Sequence, residues 1–108
     1  IEVHRNLVCG LLESIYEEAL CHEFYLRGIK YQRQTEIDVI YKGKVIKGQR
    51  VDVLVENEVI VELKSISRMP EVASAQILSY LKATGLKRGL LTNFGAVKLV
   101  DGIRRFSL

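Results

Sequence analysis

Three charged residues stand inside two strongly apolar runs of this 108-residue chain. Asp52 lies in Val51-Asp52-Val53-Leu54-Val55, and Glu62 and Lys64 lie in Val59-Ile60-Val61-Glu62-Leu63-Lys64. Charged side chains are rarely buried without a partner, so this placement needs an explanation. The runs are rich in β-branched residues and joined by Glu56-Asn57-Glu58, a strand–turn–strand signal. A three-residue connection pairs Val55 with Val59, Val53 with Val61 and Val51 with Leu63, so one face of the hairpin is expected to be wholly apolar. The other face carries Leu54 against Ile60, Asp52 against Glu62, and Arg50 near Lys64. A register shifted by one residue would mix the two faces. The expected register sets two carboxylates directly opposite each other, where like charges repel. Protonation of one, solvation of both, or a cation between them relieves that repulsion. A hard divalent ion, Mg²⁺ or Mn²⁺, bound through oxygen with Asp52 and Glu62 as ligands, fits the arrangement. Lys64 shares a face with Glu62 and is placed to orient a water or stabilise a phosphate oxygen. A solvated, charged hairpin face would look the same locally, since a lone Glu-X-Lys has little specificity.

The rest of the chain sets the bounds. Its length suits one domain spanning 1–108, and 48% apolar and 27% charged residues are ordinary globular values. No run is long enough to cross a membrane and no signal-peptide pattern is present, so a cytoplasmic setting and no membrane partner are expected. Ile1 is not methionine, and a trimmed chain with a shortened first helix is the expectation. Cys9 and Cys21 are too few for a disulfide framework and, with His22, lack zinc-ligand spacing; free thiols in a reducing compartment follow. Net charge is +3, which permits nucleic-acid binding without demanding it. Basic clusters stand at Lys42-Lys44-Lys47-Arg50, Lys87-Arg88 and Arg104-Arg105, each more often a solvated face than a phosphate track.

The elements that must position the charged residues follow from periodicity and breakers. Ile1 to Leu7 reads as the last turns of a helix, interrupted at Val8-Cys9-Gly10. A longer helix is expected from Leu11 to Arg27, with Leu12, Ile15, Ala19 and Leu26 at helical spacing, Leu11, Leu20 and Phe24 alongside, and Gly28 as its stop. Tyr31 to Tyr41 alternates like a strand, Lys42-Gly43 suits a tight turn, and Lys44 to Lys47 returns. After the Gln49–Ser65 hairpin, Pro70 suits the first turn of a helix running to about Ala83, with Gly85 ending it. Gly89 to Phe94 reads as a buried strand and Ile103 to Phe106 as a short edge strand. A strand entered from a helix after a hairpin can pair parallel to one hairpin strand, so an α+β fold with a mixed central sheet flanked by helices is expected.

This order, with Asp on one hairpin strand and Glu-X-Lys on the next, resembles the PD-(D/E)XK nuclease-like fold. The chain is also similar to the small family called GxxExxY proteins, whose motif stands here as Gly10-Leu11-Leu12-Glu13-Ser14-Ile15-Tyr16. The similarity continues through Leu26-Arg27-Gly28, Tyr41-Lys42-Gly43, the two apolar runs, Tyr80-Leu81-Lys82, Thr84-Gly85-Leu86 and Asp101-Gly102-Ile103, nearly the whole chain. The resemblance implies a metal-dependent phosphodiesterase site. Asp52 and Glu62 would hold the metal and Lys64 would position water or stabilise the transition state. Glu13 would be the carboxylate given by the first full helix, and Gln76 the polar residue given by the helix after the Glu-X-Lys strand. Glu13, Tyr16 and Glu17 share one helix face, and Gln76 and Tyr80 another; both tyrosines are read as core-edge residues. The chain departs from the pattern at Val51, where the superfamily motif has proline, and at Val72-Ala73-Ser74, where family members often carry histidine. The lead into the motif is altered to Val8-Cys9-Gly10.

The resemblance and the opposed carboxylates together imply a Mg²⁺- or Mn²⁺-dependent nuclease or phosphodiesterase acting on nucleic acid. The alternative is an inactive nuclease fold that binds nucleic acid or a protein partner. A core this small usually dimerises or joins an assembly to grip a duplex, which makes a homodimer a candidate.

Overall fold

The computed structural model describes all 108 residues as two helices, three strands, a third helix and two further strands. In chain order these are α1 (Glu2–Leu7), α2 (Glu13–Leu26), β1 (Tyr31–Tyr41), β2 (Lys44–Val55), β3 (Val59–Lys64), α3 (Glu71–Thr84), β4 (Arg88–Asn93) and β5 (Ile103–Ser107). A 3₁₀ turn at Leu99–Gly102, absent from the sequence reading, leads into β5. The strands form one sheet in the order β1-β2-β3-β4-β5, parallel between β3 and β4 and antiparallel elsewhere. The mixed sheet and the edge position of β5 agree with expectation. The segments expected as two strands, Lys44–Lys47 and the first arm of the hairpin, are instead one strand, β2. A bulge at Gly48 (φ 108) shifts the register there without ending the pairing.

Both turns use left-handed backbone. Lys42 (φ 48) and Gly43 (φ 81) close β1 on β2, and Glu56 (φ 53) and Asn57 (φ 56) close β2 on β3. The second turn gives the pairs Val55–Val59, Leu54–Ile60 and Val53–Val61, the register read from the hydrophobic pattern.

Helices cover both faces of the sheet. On one side Val53, Val61 and Leu63 pack with Val3, Tyr16, Cys21 and Phe94; on the other Ile60, Val51 and Leu91 pack with Ala73, Ile77 and Leu81 of α3. Gly89 lets α3 approach closely, since a Cβ there would meet Ile77 at 2.9 Å. The helix face expected to be buried in α2 is used only in part: Ala19, Leu20 and Phe24 pack against the core. Leu12, Ile15 and Leu26 are exposed, while Tyr16, Glu17 and Cys21 face inward. Apolar residues surround α2, so hydrophobicity alone does not set its rotation; specific contacts of Tyr16 and Glu17 do. Cys21 is buried, which pushes its thiol up to about 11, and Cys9 is exposed; both are free.

Tyr16 is fully buried in the core, not at its edge. Its ring stacks on Phe94 at 4.6 Å, and its hydroxyl donates to the Val8 carbonyl (2.7 Å) and accepts from the Leu11 N–H (3.1 Å). The hydroxyl therefore closes the Val8–Leu11 turn that delivers Glu13 to the start of α2. Tyr16→Phe would leave that carbonyl and amide without their partner, and a loss of about 1–3 kcal/mol is expected in urea unfolding.

Candidate functional site

The β2–β3 ladder stops at Val53–Val61, one pair short of Asp52 and Glu62. Beyond it the carboxylates take over as acceptors. The Asp52 N–H donates to Glu62 Oε1 (3.0 Å), and the Leu63 N–H donates to Asp52 Oδ2 (2.8 Å). Each side chain thus caps the other strand. Two residues expected to share a face, Val51 and Val53, lie in opposite core clusters. The wholly apolar face is corrected accordingly: simple alternation fails at Asp52, because β2 is no longer held in a regular ladder there.

The neighbouring strand yields at the same level. Arg33 pairs with Val53 and Thr35 with Val51, but Gln34 between them drops out of the register with φ 48. A non-glycine residue in that conformation costs about 1–2 kcal/mol. Glu17 of α2 supplies the compensation. Its buried carboxylate accepts from Gln34 Nε2 (2.8 Å) and from Arg33 Nη2 (2.8 Å) and Nε (3.2 Å). Charge-assisted bonds of this kind each contribute more than neutral ones. The bond from Glu17 holds the Arg33 guanidinium charged, raising its pKa.

Burial first, and the charge of Asp52 second, lift Glu62 from an ordinary 4.5 to about 7. The amide bond from Asp52 and the charge of Lys64 pull the other way but do not win. Lys64 is half-buried and makes no ion pair, so its ammonium is free to meet a negative group at the site. Tyr80 of α3 also feels the pair: burial and then the charges of Glu62 and Asp52 raise its pKa. Its hydroxyl accepts from Gln49 Nε2 at 3.0 Å. Gln76, one turn earlier on the same helix, is exposed and makes no hydrogen bond. The residue of α3 whose electrostatics are tied to the carboxylates is therefore Tyr80, and Gln49 of β2 orients it. The shared face of Gln76 and Tyr80 was visible in their spacing; the helix rotation that chooses between them was not.

Glu13 lies apart from the pair. It is exposed at the start of α2 and lines a cleft of about 450 Å³ with Cys9, Leu12, Ser65, Ile66 and Gly95. That cleft begins at the residue after Lys64, and Ser65 Oγ donates to the Leu11 carbonyl, so the two features adjoin. The exit of β3 is rigidly held. Asn93 Oδ1 accepts from Ile66 N–H (3.1 Å), Asn93 Nδ2 donates to the Ile66 carbonyl (2.9 Å), and Gly95 packs so tightly that a Cβ would meet that carbonyl oxygen at 2.3 Å.

The donor set suits a hard divalent cation in type but is sparse. Each carboxylate gives one oxygen to a strand amide and keeps one without a hydrogen bond, while no third carboxylate, histidine or cysteine completes a cluster. An ion held here would retain several waters, as Mg²⁺ does.

The profile of the PD-(D/E)XK nuclease superfamily matches residues 1–106, and the chain belongs to that superfamily. Nucleases of this class generally use divalent metal ions. Among solved structures, the crystal structure of SSO0001 is similar at 22% identity with a TM-score of 0.57 over 86% of this chain, which shows the shared fold. The chain spans 47% of that protein's length. No curated protein matches the sequence. No helix is long and apolar enough to cross a membrane.

Between 4.5 and about 7 the folded protein keeps a proton on Glu62 that the unfolded chain has released. Metal-free stability should therefore fall as pH rises through that window and level off above it. Glu62→Gln, whose amide oxygen can still accept from Asp52, should remove the slope and stabilise the protein at about pH 8 by up to about 3 kcal/mol, with no gain below about pH 4.5. Urea midpoints across pH for the two proteins check this.

Proposed function

We propose that the chain is a metal-dependent nuclease of the GxxExxY group, hydrolysing nucleic-acid phosphodiester bonds at Asp52, Glu62 and Lys64. The observation that carries this reading is the opposed placement of Asp52 and Glu62, each accepting an amide of the other's strand, with burial and Asp52 raising the pKa of Glu62. Two carboxylates are fixed face to face by strand amides, at an electrostatic cost that a cation would cancel. Asp52 and Glu62 would hold Mg²⁺ or Mn²⁺, and such an ion would supply an activated water and offset charge on the leaving oxygen. Asp52 and Glu62 are pre-oriented for this because the bonds to Leu63 N–H and Asp52 N–H lock their rotamers. Lys64 brings positive charge to the point where negative charge develops on the phosphate. Tyr80, steadied by Gln49, walls the site on the α3 side, and exposed Gln76 stands one turn away to meet the substrate strand. Glu13 faces the adjoining cleft, where it can orient a water or a second ion that the substrate brings.

A second reading, a nuclease fold that binds nucleic acid without cutting it, draws on one observation: Glu13 does not join the other carboxylates. The two readings separate experimentally. Mn²⁺ titrated calorimetrically into the intact protein should bind saturably, and Asp52→Ala and Glu62→Ala should each abolish the heat. Lys64→Ala should keep the metal and lose about 100-fold or more in cleavage of DNA or RNA. Metal binding with no cleavage of any nucleic-acid form would favour the second reading; no metal binding by the unaltered protein would remove the first.

A further inference from the structure

Beyond Ile37, the last β1 residue buried under α3, the β1–β2 hairpin leaves the body of the protein. Every residue from Ile40 to Gly48 is exposed. Val39 pairs with Ile46, Ile40 with Val45 and Tyr41 with Lys44, but β3 pairs with β2 only at Val53–Val55 and β1 is the sheet edge. The result is a two-stranded ribbon with both of its edges open. Ribbons of this kind are at best marginal in isolation. Here the Gly48 bulge and a Lys47–Asp38 ion pair (2.6 Å) brace its base.

The chemistry of the arm is specific. Lys42 and Lys44 flank the tip without an acidic partner, Lys42 lying 5.5 Å from the centre of the Tyr41 ring. Ile40, Tyr41, Val45 and Ile46 remain 44–66% exposed. Lysines on a sheet edge also discourage strand-to-strand aggregation, and a second copy of the arm would bring like charge against like. A polyanion satisfies both features at once: phosphates meet the lysines, and groove walls meet the apolar residues. The major groove of a duplex is about 12 Å wide and admits a two-stranded ribbon. With one aromatic residue at its tip, the arm lacks the succession of rings on which single-stranded bases stack.

Resting on the nuclease-fold reading of the Asp52–Glu62 site, we propose that this arm is the element that grips duplex nucleic acid, through Lys42 and Lys44. The arm and the site share one strand. From Lys44 to Asp52 β2 covers about 26 Å, about eight base-pair steps along a duplex. The protein therefore engages a duplex that extends about eight base pairs beyond the site on the arm side.

The test is duplex binding by the intact protein in Ca²⁺, measured by fluorescence anisotropy over a range of salt, beside Lys42→Ala/Lys44→Ala. Melting temperature and the Mn²⁺ titration serve as controls that these exposed substitutions should leave unchanged. The double variant should bind a duplex of about two helical turns about tenfold more weakly at low salt, with a salt slope reduced by about 2. Unchanged duplex affinity in the variant would overturn the proposal while leaving the metal site intact. So would an equal loss on single strands, or a solution dimer dissociated by Ile40→Asp. Loss of metal binding in the unaltered protein would instead remove the underlying reading.

Discussion

The structure turns on the reciprocal caps between Asp52 and Glu62. Two carboxylates replace two backbone carbonyls as acceptors at the point where the β2–β3 ladder ends. That exchange splays the strands, frees β2 from strict alternation and puts Val51 and Val53 into separate cores. It also holds two like charges in a partly dry place, which Glu62 resolves by taking a proton near neutrality. The surrounding elements answer to this one constraint. Glu17 and its partners Arg33 and Gln34 absorb the matching irregularity in β1, and Tyr16 pins the turn that feeds α2. Asn93 and Gly95 fix the far end of β3.

On the proposed function, stability and activity pull in opposite directions at this pair. A protein selected only to fold would place apolar residues at 52 and 62, since a half-buried like-charge pair is costly. The cost persists because the flanking sheet is strong enough to carry it: Ile60, Leu63, Leu91 and Phe94 are fully or nearly fully buried around the pair. A divalent cation would replace the proton and turn the repulsion into attraction. Acidic conditions and metal are thus competing ways to satisfy the same two oxygens.

Much of this was legible in the sequence, and the reason is the period of two. The valine-rich runs and the three-residue turn allow one register that segregates apolar from charged faces, and its first three pairs, from Val55–Val59 to Val53–Val61, are the ones formed. The parallel β4 and the helix preceding it followed from ordinary breakers at Pro70 and Gly85. What periodicity could not give were rotations and departures from it. The buried face of α2 joins Leu20 and Phe24 to the Tyr16 and Glu17 contacts and leaves Leu12, Ile15 and Leu26 exposed. The reversal at Asp52 depends on side chain–backbone bonds, which leave no periodic trace. Glu13 and Gln76 illustrate the same limit: a residue can lie on the right element and still stand back from the carboxylates, while Tyr80, read from sequence as a core-edge residue, bonds to Gln49 and feels their charge.

The most direct test of the central claim is the protonation of Glu62 itself, followed through its side-chain carboxyl carbon by NMR titration with and without Mg²⁺. If the pair is an electrostatically unsatisfied cation site, Glu62 should titrate near 7 in the metal-free protein. Saturating Mg²⁺ should then lower its apparent pKa by about two units or more. Titration near an ordinary carboxylate value in both conditions would show that the pair is solvated and relaxed, and would contradict the account.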